Sequence, residues 1–352
     1  MKIVTIVGAR PQFIKAAGVS RELRTHHREV LVHTGQHYDY AMSGVFFEGL
    51  NLPAPEVNLE VGSGTHGTQT SAMLQGIEKV LIEERPDRVL IYGDTNSTLA
   101  GAIAAAKLHI PIVHIESGMR SFNRRMPEEI NRVIADHLSN LLLCPSRTAV
   151  KNLAAEGISK NVYLVGDVMH DVLQWALGRA KPLAAETISR FNLNPNGYLL
   201  ATVHRSENTD NPEQLTGIVE TLNNLDEPVL FPVHPRARKH LDRINYRPAA
   251  NVRMVEPLSY FEMVIMAGDA RMILTDSGGL QKEAYWMEVP CVTLREETEW
   301  VETVDTGWNR LTGSDPEKIV NAVRNFQRPE SHPVLYGNGH AGRQCVELIE
   351  QN

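Results

Sequence analysis

Short apolar runs rich in β-branched residues alternate along the chain with segments whose apolar residues recur at helical spacing, and this alternation constrains the fold more than any other feature. Strands of a parallel sheet are covered on both faces, so they read as continuous apolar runs. Such runs fall at residues 2–7 (KIVTIV), 29–33 (EVLVH), 88–92 (RVLIY), 111–115 (PIVHI), 140–143 and 161–165. Between them, Met73, Ile77, Val80 and Leu81 mark a helix over 71–84, and an alanine-rich helix covers 98–108. After a loose stretch at 166–195 the pattern restarts, with strands at 198–203, 228–233, 252–255 and 272–275 and a last helix near 339–350. Two series in 352 residues predict an α/β protein of two Rossmann-like domains, each with a parallel sheet, facing a central cleft. The expected boundaries are 1–168, joined by the C-terminal helix 338–352, and 169–337. A single (β/α)8 barrel is the competitor. Against it, residues 187–197 (TISRFNLNPNG) carry Asn, Pro and Gly before a strand that begins afresh, as a domain junction does.

Composition excludes several functions. Lys and Arg total 35 against 42 Asp and Glu, a net charge of −7, which gives no general attraction to nucleic acid or to an anionic membrane. A local basic site for a small anion remains open. Cys144, Cys291 and Cys345 are far apart and lack ligand spacing, which speaks against a disulfide framework or a zinc site and fits a reducing cytoplasm. The first apolar run ends at Gly8, Arg10 and Pro11, too soon for a signal segment, and no run approaches the ~20 residues of a membrane span. No metal is expected: the histidines show no HExxH spacing, and His26-His27 lies in a charged stretch that reads as solvated surface. Gly62 to Gly67 satisfies GxGxxG, but it follows a proline-bearing stretch and lies downstream of the first βα turn, where a dinucleotide fingerprint belongs.

In open α/β sheets ligands bind beyond the carboxyl ends of strands. Asp94, Glu116, His204, His234 and the run Asp276-Ser277-Gly278-Gly279 all follow strand runs directly. Each alone reads as a helix cap; five from both halves suggest a site. The turn at 276–279 opens a helix, and its glycines let backbone N–H groups approach a diphosphate. Glu283, under two turns further on, could accept hydrogen bonds from ribose hydroxyls. Arg10 and Lys15 bracket a helix start at Pro11, where cations oppose the macrodipole; facing an anionic ligand or being solvated would each explain them. Glu128, Glu129 and Arg132 lie in a helix opening at Pro127, where dipole complementarity and a Glu128–Arg132 i,i+4 pair suffice as an explanation. Acids and a histidine around a diphosphate suit proton abstraction and return on a sugar, with the diphosphate as leaving group.

The segments GARPQFIK, YGDTNST, HIESGMR, MPEEINR, TVHRSEN, PVHP and DSGGLQKE, running in order from residue 8 to residue 283, together resemble the non-hydrolysing UDP-N-acetylglucosamine 2-epimerases. The resemblance implies the GT-B architecture, with the nucleotide held mainly by the C-terminal domain and the last helix crossing back to the first. It implies inversion of C2 of a UDP-2-acetamido sugar without a cofactor, through elimination of UDP to a 2-acetamidoglucal and re-addition. Asp94, Glu116, Glu128 and His204 match the family's catalytic groups. Arg10, Lys15, Arg132, Arg205, His234, Ser277, Gly278, Gly279 and Glu283 match positions that hold substrate or shape its pocket. A homodimer is the family expectation.

The sequence also departs from the family. Where many members read TTERPE, this chain has Glu297-Thr-Glu-Trp300-Val-Glu302, so an indole stands where a guanidinium is usual. Gln36-His37-Tyr38 replaces the Gln-His-Arg of the substrate-regulated bacterial branch, which speaks against that regulation. RPQFIKA, SFNRRMPEEINR and ETEWVE resemble the branch acting on UDP-2,3-diacetamido-2,3-dideoxyglucuronic acid, whose C6 carboxylate Arg124 or Arg125 could meet. The alternatives are a hydrolysing epimerase, a GT-B glycosyltransferase and a nucleotide-sugar sensor without turnover.

Overall fold

The computed structural model describes residues 1–36 and 52–352; His37 and Tyr38, and the side chain of Arg10, lie outside the described residues. The chain forms two compact units, Met1–Gln174 with Val334–Asn352, and Trp175–Pro333. The division falls a few residues beyond the expected 168, inside a helix. The stretch that reads as loose is largely helical, because Val172, Leu173, Ala176, Ala180 and Ile188 supply apolar faces that the intervening polar residues hide from a pattern search.

In the first unit β1 (Lys2–Val7), α1 (Arg10–His26), β2 (Arg28–His33), β3 (Val57–Asn58), α2 (His66–Glu84), β4 (Arg88–Tyr92), α3 (Asn96–Lys107), β5 (Ile112–Ile115), α4 (Pro127–Leu138), β6 (Leu141–Cys144), α5 (Arg147–Ala155) and β7 (Val162–Leu164) follow in order. Its sheet has the order β3-β2-β1-β4-β5-β6-β7, parallel throughout. Strand order reverses between β1 and β4, the point where such sheets open a crevice. Ile3, Val4, Ile6 and Val7 of β1 are fully buried, as expected of a strand covered on both faces. The alanines of α3 permit its close approach to the sheet. A Cβ on Gly101 would lie 2.8 Å from Cδ1 of Ile6.

A helix, α6 (Val168–Ala180), carries the chain into the second unit. There α7 (Ala184–Arg190), β8 (Leu199–Thr202), α8 (Ser206–Thr209), α9 (Pro212–Asn223), β9 (Val229–Pro232), α10 (Pro235–Arg243), β10 (Val252–Val255), α11 (Tyr260–Gly268), β11 (Met272–Thr275), α12 (Gly278–Trp286), β12 (Cys291–Thr293), α13 (Val301–Asp305), β13 (Asn309–Leu311) and α14 (Pro316–Arg324) build a second parallel sheet of order β10-β9-β8-β11-β12-β13. Its reversal lies between β8 and β11. Strands β3, β12 and β13 have only two or three residues, too few to register as apolar runs.

The last helix, α15 (Ala341–Gln351), belongs to the first unit. Asp171 accepts the backbone N–H groups of Ala341 at 3.1 Å and Gly342 at 2.7 Å, satisfying two orphan donors at the start of α15. A Cβ on Gly342 would lie 2.5 Å from the carbonyl oxygen of Gly18 in α1, so glycine there lets the two helices touch. His27 departs from expectation. Its side chain is largely buried and lies 3.1 Å from Glu350 of α15, because α15 covers the surface that the local charges suggested was open. Among the described residues no helix is long and apolar enough to cross a membrane.

Candidate active site

Both sheets gather the expected polar residues at their reversal points. In the first unit Gln12 organises the turn after β1. Its Oε1 accepts the N–H groups of Gly8 (2.8 Å) and Ala9 (3.1 Å), and its Nε2 donates to the Tyr92 carbonyl (2.9 Å) and to Thr98 Oγ1 (3.0 Å). One buried amide thus ties the end of β1 to the end of β4. Only glycine fits at position 8, where a Cβ would lie 2.1 Å from the hydroxyls of Ser97 and Thr34.

Lys15, one turn further along α1, ion-pairs with Glu116 at the end of β5, and both side chains are nearly buried. The sequence left Lys15 facing a ligand or solvent; within the unit its partner is a carboxylate. Gly93 adopts a positive φ of 60° beside this pair. Asp94 follows, and its Oδ2 receives Arg132 Nη2 at 2.5 Å. Arg132 also donates to Glu129 at 3.0 Å, so the guanidinium joins Asp94 to an acid three residues before it. Glu129 itself accepts the N–H groups of Ser121 and Phe122, each at 2.9 Å, and is buried. It therefore holds the loop entering α4, where Phe122 has a φ of 59°. Glu128 is half-buried, and Arg124 and Arg125 are exposed.

Beneath these turns His114 is fully buried, with Nδ1 2.8 Å from Asp136 and Nε2 2.8 Å from the Gly93 carbonyl. Asp136 also accepts Arg120 (2.7 Å) and the Gly118 N–H (3.1 Å). Burial alone would raise its pKa, but the hydrogen bond and charge of His114, with Arg120, outweigh that and lower it. The Gly93 and Gly118 turns, which bracket Glu116, are thereby tied to α4.

In the second unit His204 follows β8, and its Nδ1 lies 3.1 Å from Oδ1 of Asp276 at the end of β11. Asp276 is fully buried and accepts the N–H groups of His204 (3.0 Å to Oδ2) and Arg205 (2.9 Å) and Asn208 Nδ2 (3.1 Å). Burial would raise its pKa, yet the His204 charge and these hydrogen bonds hold it at about 2. His234 ends the turn after β9 and caps α10, its Nδ1 accepting the Arg236 N–H at 3.1 Å. The two imidazole centroids are 5.7 Å apart. Arg205 precedes α8, within the same turn as His204.

Ser277 caps α12, whose first two residues are Gly278 and Gly279. Glu283 is buried on that helix and accepts Tyr260 Oη at 3.2 Å. Trp300, at the position where the family usually has a cation, has its indole nitrogen 3.3 Å from where a Cβ on Gly278 would be. The ammonium of Lys282, itself buried, lies 3.7 Å from the Trp300 ring centroid. Lys282 thus sets a cation on the ring of the indole that borders the glycine turn.

The structure pairs Lys15 with Glu116, Asp94 with Arg132, and His204 with Asp276 and His234. Sequence reasoning missed Gln12, Glu129 and Asp276 as organisers of these groups. Asp276 had a signal, since it follows a strand directly, but Gln12 and Glu129 sit inside helices beside more conspicuous charges.

A sequence model of the UDP-N-acetylglucosamine 2-epimerase family matches residues 21–350. A UDP-N-acetylglucosamine 2-epimerase homolog of Methanococcus maripaludis is 50% identical over 99% of both chains. The UDP-2,3-diacetamido-2,3-dideoxy-D-glucuronate 2-epimerase of Pseudomonas aeruginosa is 46% identical, again over 99% of each. Among solved structures, the Methanocaldococcus jannaschii UDP-GlcNAc 2-epimerase in complex with UDP-GlcNAc and UDP is 42% identical over all of both chains, with a TM-score of 0.94. The two parallel α/β units and this likeness make the fold GT-B-like.

Proposed function

We propose that this chain, which belongs to the UDP-N-acetylglucosamine 2-epimerase family, inverts C2 of a UDP-2-acetamido sugar, converting UDP-N-acetylglucosamine to UDP-N-acetylmannosamine. The family consists of carbohydrate isomerases, and the chain is an enzyme of that class. What carries the reading is a pair of ionisable side chains at the two strand-order reversals. Asp94 and His204 are each held by an oppositely charged or buried partner, yet keep 32% and 36% of their side-chain surface exposed. Such groups are oriented and still reachable by a substrate.

In this reading a base removes the C2 proton while UDP leaves C1 with the bonding electron pair, giving a 2-acetamidoglucal and UDP. UDP then adds back to C1 as C2 is protonated from the other face. Inversion requires proton-transfer groups on both faces, and Asp94, Glu116, Glu128 and His204 are the candidates. Arg132 holds Asp94, and Lys15 holds Glu116, at fixed positions. The turn Ser277-Gly278-Gly279 offers backbone N–H groups to the diphosphate, and Glu283 accepts from the ribose. Arg10, Lys15, Arg132, Arg205 and His234 bind or neutralise the anionic substrate. The second unit grips UDP and the first supplies most of the acids. We further propose a cytoplasmic homodimer that feeds polysaccharide biosynthesis.

Proton NMR in deuterated water tests the reaction. Reversible deuteration at C2 with the UDP-sugar intact is expected; accumulation of free N-acetylmannosamine and UDP would point to a hydrolysing epimerase. A second substrate, the UDP-2,3-diacetamido-2,3-dideoxyglucuronate, is favoured by the 46% identity to the Pseudomonas aeruginosa enzyme and by the exposed Arg124 and Arg125. Turnover of the two UDP-sugars side by side decides between them.

A further inference from the structure

His204 and His234 follow neighbouring strands, β8 and β9, but their Nδ1 atoms meet opposite chemistry. At His204 the neighbour is the Asp276 carboxylate, 3.1 Å away, which in its ionised form only accepts. That Nδ1 therefore carries a proton, and in the neutral ring Nε2 is left as an acceptor. At His234 the neighbour is the Arg236 backbone N–H, 3.1 Å away, which only donates. This Nδ1 carries no proton, so the neutral ring holds its proton on Nε2.

We propose that these contacts lock the two histidines in opposite tautomers and so divide their tasks: Nε2 of His204 is a proton-transfer group on one face of the sugar, the other face being served by an acid, while Nε2–H of His234 donates a hydrogen bond to an anionic oxygen of the substrate. The identity of that substrate rests on the UDP-sugar reading; the tautomers do not. Asp276 is then a positioning residue acting through His204. Its rotamer is fixed by the N–H groups of His204 and Arg205 and by Asn208, so the carboxylate cannot swing away from the ring. His234 sits at the N-terminus of the nine-residue α10, where a proton on Nδ1 would oppose both the Arg236 N–H and the positive end of the helix. Protonation of Nδ1 would break that contact, so Nε2 is the nitrogen that carries the ring's proton.

Long-range proton–nitrogen NMR on the 15N-histidine-labelled enzyme reads both tautomers directly. The free enzyme is expected to show Nδ1–H at His204 and Nε2–H at His234; the same tautomer at both, or rapid averaging at both, overturns the proposal. Asp276→Asn is expected to free the His204 tautomer, leave His234 unchanged, and lower kcat on the order of 10²–10⁴-fold with KM within a few-fold. Because that variant loses buried hydrogen bonds as well, Asn208→Ala is the comparison. It removes one donor to Asp276 and leaves the His204 contact. A preserved His204 tautomer and a much smaller loss of kcat support a positioning role, whereas equal losses in the two variants make Asp276 a purely structural residue. Opposite tautomers in an enzyme that turns over no UDP-sugar would sink the substrate reading and the division of tasks, and leave the lock standing.

Discussion

Lys15 and Glu116 form their ion pair in a space that exists because residue 93 has no side chain. A Cβ on Gly93 would lie 3.0 Å from both Glu116 Oε2 and Lys15 Nζ, and the residue's φ of 60° is itself unfavourable for any other amino acid. Gly93→Ala is therefore expected to cost about 1–2 kcal/mol in backbone strain and to displace the pair. Turnover should fall more than thermal stability implies. A variant with lowered Tm and unchanged kcat would show that the pair has no part in the reaction.

Asp94→Asn and His204→Ala are expected to lower kcat on the order of 10²–10⁴-fold while leaving UDP affinity within about tenfold. Deuterium incorporation at C2 reads the first effect and calorimetric titration with UDP the second. Equal losses of turnover and binding would move these residues from chemistry to structure.

Adjacent glutamates should behave differently. Glu129 is buried and accepts from Ser121, Phe122 and Arg132, so Glu129→Gln leaves Arg132 with Asp94 as its remaining carboxylate and sets an amide against a buried donor, a loss of about 1–3 kcal/mol. Hydrogen exchange at Ser121 and Phe122 is expected to accelerate. Glu128→Gln should cut turnover without changing that exchange. The reverse pattern would exchange their roles.

Acid stability follows from Asp276. Its pKa is lowered from 3.8 to about 2, so ionised Asp276 contributes stability that is fully present above about pH 4 and is lost as pH falls toward 2. The contribution is about 2 kcal/mol. Urea unfolding of the wild type and Asp276→Asn is expected to differ most at pH 5 to 7 and to converge toward pH 2. A difference independent of pH would mean that the carboxylate's charge adds nothing.

Asp171→Ala removes the acceptor for the first N–H groups of α15, a loss of about 0.5–2 kcal/mol for a helix cap. Limited proteolysis is expected to release the C-terminal segment sooner, with fragments mapped by mass spectrometry. Unchanged protection would mean that the Gly18–Gly342 contact alone secures the helix.

Strand runs and glycine turns were readable in the sequence because parallel strands covered on both faces leave continuous apolar signatures, and most strand positions followed from them. The short strands β12 and β13 were not, since Cys291–Thr293 and Asn309–Leu311 present too few apolar residues to stand out. The charged residues at strand ends were legible as candidates through their position. Their partners were not. Gln12 reaches Tyr92 across 80 positions and His204 meets Asp276 across 72, distances over which local pattern carries no information. His27 misled for the same reason, because its cover comes from Glu350 at the far end of the chain.

The second unit is inserted between Gln174 and Val334 of the first, and the first is completed only by α15, the last helix of the described chain. Synthesis runs from the N-terminus, so a nascent chain has every residue of the second unit before it has the helix that seals the first. Until α15 is made, residues 1–174 lack the contact that Gly342 makes with the Gly18 carbonyl of α1. Truncation within α15 would strike a unit most of whose residues are made well before that helix.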